Sequence, residues 1–139
     1  MRRLSLIVVF AVAAFIFVAF NTQAQELGGS PEARKTKNPV PSTAASVTAG
    51  AAVYKKYCAF CHNADAKGDG PLAPKGSMPP DLTDEKWDRG STDGEIFAVI
   101  MAGAGPKFVM KGLKGKIPDE DAWHVVNYLR SLGPKTAAR

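Results

Sequence analysis

Both cysteines of the chain and one of its two histidines fall in five consecutive positions, Cys58-Ala59-Phe60-Cys61-His62. Three side chains able to bind a metal or react with one another are thus held on little more than one turn of backbone. The surrounding sequence shows why such a cluster is needed. Apolar residues recur at helical spacing in three places, with no convincing period-two alternation. The first stretch starts at Val47 and carries Ala49, Ala52, Val53 and Tyr57. The second is "STDGEIFAVIMAG", where Thr92 and Glu95 make a capping box, Ile96, Val99 and Ile100 a stripe, and Gly103 a stop. The third is "IPDEDAWHVVNYLRSLG", with Pro118 and three acids at its start, one face of Ala122, Val125, Val126, Leu129 and Leu132, and Gly133-Pro134 at its end. This predicts an all-α domain over residues 47–134, with long loops rich in Gly, Pro and Lys. Three modest helices make a marginal core, so a disulfide, a metal or a cofactor is expected to complete it.

Four chemistries use such a cluster. In covalent haem attachment, two thiols add across the vinyl groups and the adjacent imidazole binds the iron, which demands this spacing and this order. A structural zinc site wants four ligands. The chain offers only His124 besides the cluster, and the helical wheel puts His124 with Asn127 and Ser131, away from Val125 and Leu129, as a surface histidine. A thioredoxin-like pair wants a βαβ setting and a helix starting at the first cysteine, whereas this pair ends a helix. A plain disulfide needs an oxidising compartment and adds little to a core. Haem also supplies the missing apolar filler.

With the motif, "GDGPLAPKGSMPPDLTDEKW", "TDGEIFAVIMAG" and "DEDAWHVVNYLRSL" give the chain a likeness over roughly residues 47–133. It resembles a class I c-type cytochrome, the small exported bacterial monohaem kind. The resemblance implies three main helices with long loops wrapped around one covalent haem c, and first and last helices crossing at Gly50 and Tyr128. It implies that Cys58 and Cys61 carry the thioethers and His62 is the proximal iron ligand. For the sixth ligand it points to Met110, eighteen residues ahead of Tyr128, although Lys111 follows where many relatives have proline. Met78 lies in a loop that such proteins pack on the histidine side, where the Pro80 carbonyl, or alternatively Pro71, would accept the Nδ1 proton of His62. Met101, about 140° from the Ile96 stripe, is expected to face away from the core. Trp87 and Trp123 are expected in the core, with a haem propionate as the other use of an indole N–H. Asp65, Asp69 and Asp81 read as turn formers.

The implied function is one-electron transfer between redox proteins in a respiratory or periplasmic chain, without enzymatic activity of its own. Two alternatives are a haem c subunit of a dehydrogenase or oxidase complex, and a ligand-binding sensor with an open sixth site. Lys107, Lys111, Lys114 and Lys116 surround Met110 with no acid between Gly103 and Ile117, and would dock an acidic partner or form a solvated loop.

The N-terminus supports export. Arg2 and Arg3 precede an uncharged run from Leu4 to Phe20, and Thr22 and Ala24 suit a cut after Ala24. Residues 1–24 are thus a signal peptide, or an uncleaved anchor, since that run only just reaches a membrane span. The domain is expected in the periplasm, free or membrane-anchored. Residues 25–46 read as a flexible linker and 135–139 as a disordered tail. Without Arg2 and Arg3, sixteen Lys and Arg face thirteen Asp and Glu. That balance is too mild and dispersed to suggest nucleic acid.

Overall fold

The computed structural model describes residues 30–105 and 109–133. The leader, with its expected cut or anchor, the start of the expected linker, Lys107 and the expected tail all lie outside these residues. The elements are α1 (Pro31–Lys35), α2 (Ala44–Tyr57), α3 (Ala59–His62), α4 (Asp93–Ala102), β1 (Gly103–Ala104), β2 (Met110–Lys111) and α5 (Asp119–Leu132). The fold is therefore mostly helical, with one small antiparallel ribbon that pairs Gly103 with Lys111 and Ala104 with Met110. Two-residue strands are too short to leave an alternating pattern in sequence.

Helix α2 starts three residues earlier than its apolar rhythm suggests, because Thr43 caps it by accepting from the Ser46 N–H at 3.1 Å. Its buried face is Ser46, Gly50 and Tyr54, with Val53 half-buried, while Ala52 and Tyr57 are exposed. The expected face through Ala49, Ala52 and Tyr57 is thus replaced by its neighbour. The cause is close approach to α5. A β-carbon on Gly50 would stand 2.9 Å from Cβ of Tyr128, so the helices cross where the chain has least bulk. The crossing expected at Gly50 and Tyr128 is present, and the Tyr54 and Tyr128 rings meet 5.2 Å apart.

Helix α4 carries the expected capping box. Thr92 Oγ1 accepts from the Glu95 N–H, and the Glu95 carboxylate accepts from the Thr92 N–H at 2.9 Å. Gly103 ends the helix at φ +88°, a left-handed conformation that suits glycine. Met101 does not face away from the core: it is buried with Ile96 and Ile100. The chain after β2 returns along α4, where Leu113 N–H donates to Ile100 O and Lys114 N–H to Met101 O, both at 3.0 Å. That return covers a face the helical wheel alone would leave to solvent.

Helix α5 is the central element. Ala122, Trp123, Val125, Val126 and Leu129 are buried as expected, and Asn127 is buried with them. The second buried side is covered by the segment expected as a flexible linker. Residues 31–35 form α1, capped by Ser30, and Arg34 Nε donates to Glu95 Oε1 at 3.1 Å. Asn38 Nδ2 donates to Asn127 Oδ1 at 2.9 Å, and Asn127 Nδ2 donates to Ser46 Oγ at 2.8 Å and to Val40 O at 3.1 Å. Gly94 makes room for this arm, because a β-carbon there would stand 2.1 Å from Ala33 O. The arm lacks large apolar residues, as its composition says. It is seated instead by polar partners buried on other elements, which composition does not show.

Candidate functional site

The cluster occupies a single turn. Tyr54 O accepts from the Cys58 N–H at 2.8 Å, closing α2, and Cys58 O accepts from the N–H groups of Cys61 at 3.1 Å and His62 at 2.9 Å. Cys58 is thus the N-cap of one short helix, α3, that carries Cys61 and His62. Their order, and not a distant fold contact, brings them together.

Both cysteines are free thiols and half-buried. Burial first, and then the neighbouring Cys61, pushes the Cys58 thiol up to about 12. A redox-active dithiol uses a depressed thiol, which burial here opposes, and among the described residues the pair has no βαβ unit around it, the setting a thioredoxin-like motif wants. The zinc reading fails, since among the described residues no group of three or more His, Cys, Asp or Glu is placed to hold a metal. His124 is committed elsewhere: its Nδ1 lies 2.8 Å from Ser46 Oγ. That also corrects the expected surface positions: His124 is half-buried against Ser46 of α2, and Asn127 is buried beneath the docked arm.

His62 is 8 % exposed, and its Nδ1 is buried with no hydrogen-bond partner. Burial holds its imidazole below the ordinary histidine range, so at neutral pH it is uncharged and able to act as a metal ligand. The expected bond from Nδ1 to the Pro80 carbonyl is not formed. The loop does reach this region, for a β-carbon on Gly68 would stand 2.0 Å from Pro79 O and 3.2 Å from Pro80 O, while Gly68 N–H donates to His62 O at 3.0 Å. The two prolines therefore abut the backbone that follows His62, with their carbonyls close to Gly68. Asp81 holds that loop as a turn former, its Oδ1 accepting from Thr83 N–H at 2.7 Å and Thr83 Oγ1 at 2.6 Å.

The other candidates are more scattered. Met110 is half-buried in β2 opposite Ala104. Met78 is 57 % exposed. Lys111, Lys114 and Lys116 are exposed beside Met110 in the chain. Trp123 is buried and stacked face to face on Phe97, ring centroids 4.0 Å apart. Trp87 donates its indole N–H to Asp84 O at 3.2 Å and lies against the Arg130 guanidinium. Arg130 in turn donates to Asp93 Oδ1 at 2.8 Å and to Ser91 O. This ties the end of α5 to the start of α4, a link that sequence reasoning missed because a charged residue near a helix end reads as solvated.

Two features fit a covalently held, iron-bearing macrocycle: two free thiols, and a buried imidazole adjacent to the second. Comparison with known proteins points the same way. The family described as cytochrome c oxidase, cbb3-type, subunit III, matches residues 45–129. The cbb3-type cytochrome c oxidase subunit CcoP of Rhodobacter capsulatus is 31 % identical over 98 residues, covering 67 % of this chain and 31 % of the relative. The chain therefore spans about a third of the length of the curated relatives it matches. Among solved structures, a Kuenenia stuttgartiensis reducing HAO-like protein complex is 26 % identical with a TM-score of 0.62, covering 69 % of this chain and 47 % of its own. Cytochrome cL from Methylophaga aminisulfidivorans is 22 % identical with a TM-score of 0.53, covering 65 % of this chain and 57 % of its own, and at that identity speaks for the fold alone.

Proposed function

Since the chain belongs to the cytochrome c oxidase, cbb3-type, subunit III family of c-type cytochrome domains, we propose that it is a one-electron carrier bearing one covalent haem c. The observation that carries the reading is the Cys58–Cys61–His62 turn, with its free thiols and its buried, uncharged imidazole, inside the matched span. When bound, the haem iron supplies exchange of single electrons between Fe(III) and Fe(II). The chain's own residues would do the rest. Cys58 and Cys61 would hold the group as thioethers, and His62 would offer a neutral nitrogen. The Met110 thioether would be the second axial donor, a soft ligand that favours the reduced iron and so raises the potential. The core cluster of Ile96, Ile100, Met101 and Trp123 would exclude water from the domain interior.

In this reading the domain has no enzymatic activity by itself. It is exported to the periplasm and exchanges electrons with protein partners, the exposed Lys111, Lys114 and Lys116 steering an acidic partner at encounter. Lys107 and the apolar leader would add to this docking edge and to membrane attachment. Among the described residues no helix is long and apolar enough to cross a membrane.

A second arrangement, a haem c subunit within a larger redox assembly, is favoured by the names of the relatives, one an oxidase subunit and the other a protein complex. The deciding experiment is a visible spectrum of the purified protein before and after acid–acetone extraction. Colour that stays with the protein, with an α band on reduction, supports the carrier reading. Colour that washes off overturns it. Co-purification with a larger redox protein selects the subunit arrangement.

A further inference from the structure

Two glycines grip the backbone around Met110. The ribbon pairs Gly103 with Lys111 and Ala104 with Met110. A β-carbon on Gly103 would overlap the Met110 carbonyl oxygen and stand 2.7 Å from the Gly112 nitrogen. A β-carbon on Gly112 would stand 2.5 Å from Met101 O and 2.6 Å from the carbonyl carbon of Ala102. Each glycine thus lies against the other's segment, and the end of α4 meets the chain around Met110 backbone to backbone. A side chain at either position would push the two segments apart.

The seam is rooted on its α4 side. Ile96, Ile100 and Met101 are core residues. Just beyond Gly112, the Leu113 and Lys114 N–H groups donate to Ile100 O and Met101 O, both at 3.0 Å, and Leu113 is buried. The main chain of Met110 therefore takes its position from a helix fixed in the core. The side chain depends on this. Methionine is unbranched with three rotatable bonds, so its sulfur is placed no better than the backbone that carries it. A thioether is a neutral, soft donor. It keeps an axial position when the chain holds it there at high local concentration.

We propose that Gly103 is a positioning residue for Met110: with Gly112 it forms a backbone clasp that presents the thioether to the haem iron and keeps the sixth site closed to small ligands. Gly103 acts through the Met110 carbonyl and contributes no group of its own. The inference rests on the reading of Met110 as the second axial donor.

Glycine's two uses, positive φ and close approach, separate cleanly in this loop. Gly103 and Gly105 both have φ +88°. The nearest atom to a β-carbon on Gly105 is Val109 Cβ at 3.6 Å, an ordinary contact. Gly103→Ala and Gly105→Ala therefore carry the same backbone strain, and only the first displaces Met110. Gly112 is the converse, without positive φ, so Gly112→Ala carries the overlap alone.

The test uses the purified haem-bearing protein with three readouts: the thioether-to-iron band when oxidised, carbon monoxide binding when reduced, and the urea midpoint. Gly103→Ala should lose most of the band and bind carbon monoxide about tenfold faster than the parent. Gly105→Ala should keep the band and the parent's rate, even where its urea midpoint falls as far. Gly112→Ala should follow Gly103→Ala, and it decides the matter if Gly103→Ala takes up no haem. An intact band with the parent's rate in the deciding variant overturns the inference, and so does an equal change in Gly105→Ala. If the parent lacks the band, or Met110→Ala retains it, the inference and the Met110 reading fall together. If Met110→Ala loses the band and Gly103→Ala keeps it, the inference falls alone.

Discussion

Gly50 and His124 are in backbone contact across the helix crossing: a β-carbon on Gly50 would stand 2.0 Å from the His124 carbonyl oxygen. Only glycine lets α2 and α5 approach this closely. Gly50→Ala would gain about 1 kcal/mol of helix propensity. The overlap is with rigid backbone and should cost more, so a net loss of about 2 kcal/mol is expected. A urea titration of the haem-bearing protein followed by circular dichroism measures it, and a midpoint at or above the parent's would contradict the crossing.

Met110→Ala should remove the sixth donor. The far-red thioether-to-iron band should vanish, the potential should fall, and carbon monoxide should bind the reduced protein readily. Met78→Ala, at a largely exposed position, should leave the spectrum unchanged. Met101→Ala should also keep the band, but should lower stability by about 2–4 kcal/mol, because Met101 is a core residue. Loss of the band in Met78→Ala would move the ligand to the other loop.

Asn127 holds the arm through Asn38, Val40 and Ser46. Asn127→Ala leaves those groups unpaired under α5 and should cost about 2–3 kcal/mol. Trypsin cleavage after Lys35 and Lys37, both exposed, should accelerate at least tenfold while the visible spectrum is retained. Cleavage at the parent's rate would show that the arm is seated by something else.

The Glu95 carboxyl carries a pH signature. Burial raises it, but the Thr92 N–H and hydroxyl and the Arg34 guanidinium together hold it below the ordinary carboxylate range. A depressed folded value means stability that is present above the unfolded value and lost as pH falls through the folded one. Glu95→Gln should therefore cost about 1–2 kcal/mol at pH 7. The gap to the parent should close as pH falls below about 4. A gap that is constant with pH would mean that the charge contributes nothing.

Much of this was legible in sequence because it is local. The Thr92–Glu95 capping box, the Gly103 stop, the apolar face of α5 and the Cys58–His62 turn are each decided within a few residues. What escaped depends on which element covers which. The helical wheel groups His124 with Asn127 correctly, yet only the arm at 38–46 makes that face an inside. Met101 is buried by the strand return at 113–114. The seam of α2 runs through Ser46 and Gly50, residues that a search for apolar bulk discounts. Gly103 reads in sequence as a helix stop, but its closeness to Met110 exists only because the chain reverses there.

The docked arm has a consequence for swapping and for co-variation. The family match begins at residue 45, so Arg34, Ala33 and Asn38 lie outside it, whereas Glu95, Gly94 and Asn127, which receive them, lie inside. A chimera that keeps this arm but takes a relative's matched segment would bring a seat with no reason to retain a glycine at 94 or an amide at 127. The reverse chimera would leave the Glu95 carboxylate buried without its cation. Among sequences carrying this arm, positions 34 and 95 should change together, and those without it should be free to lose both.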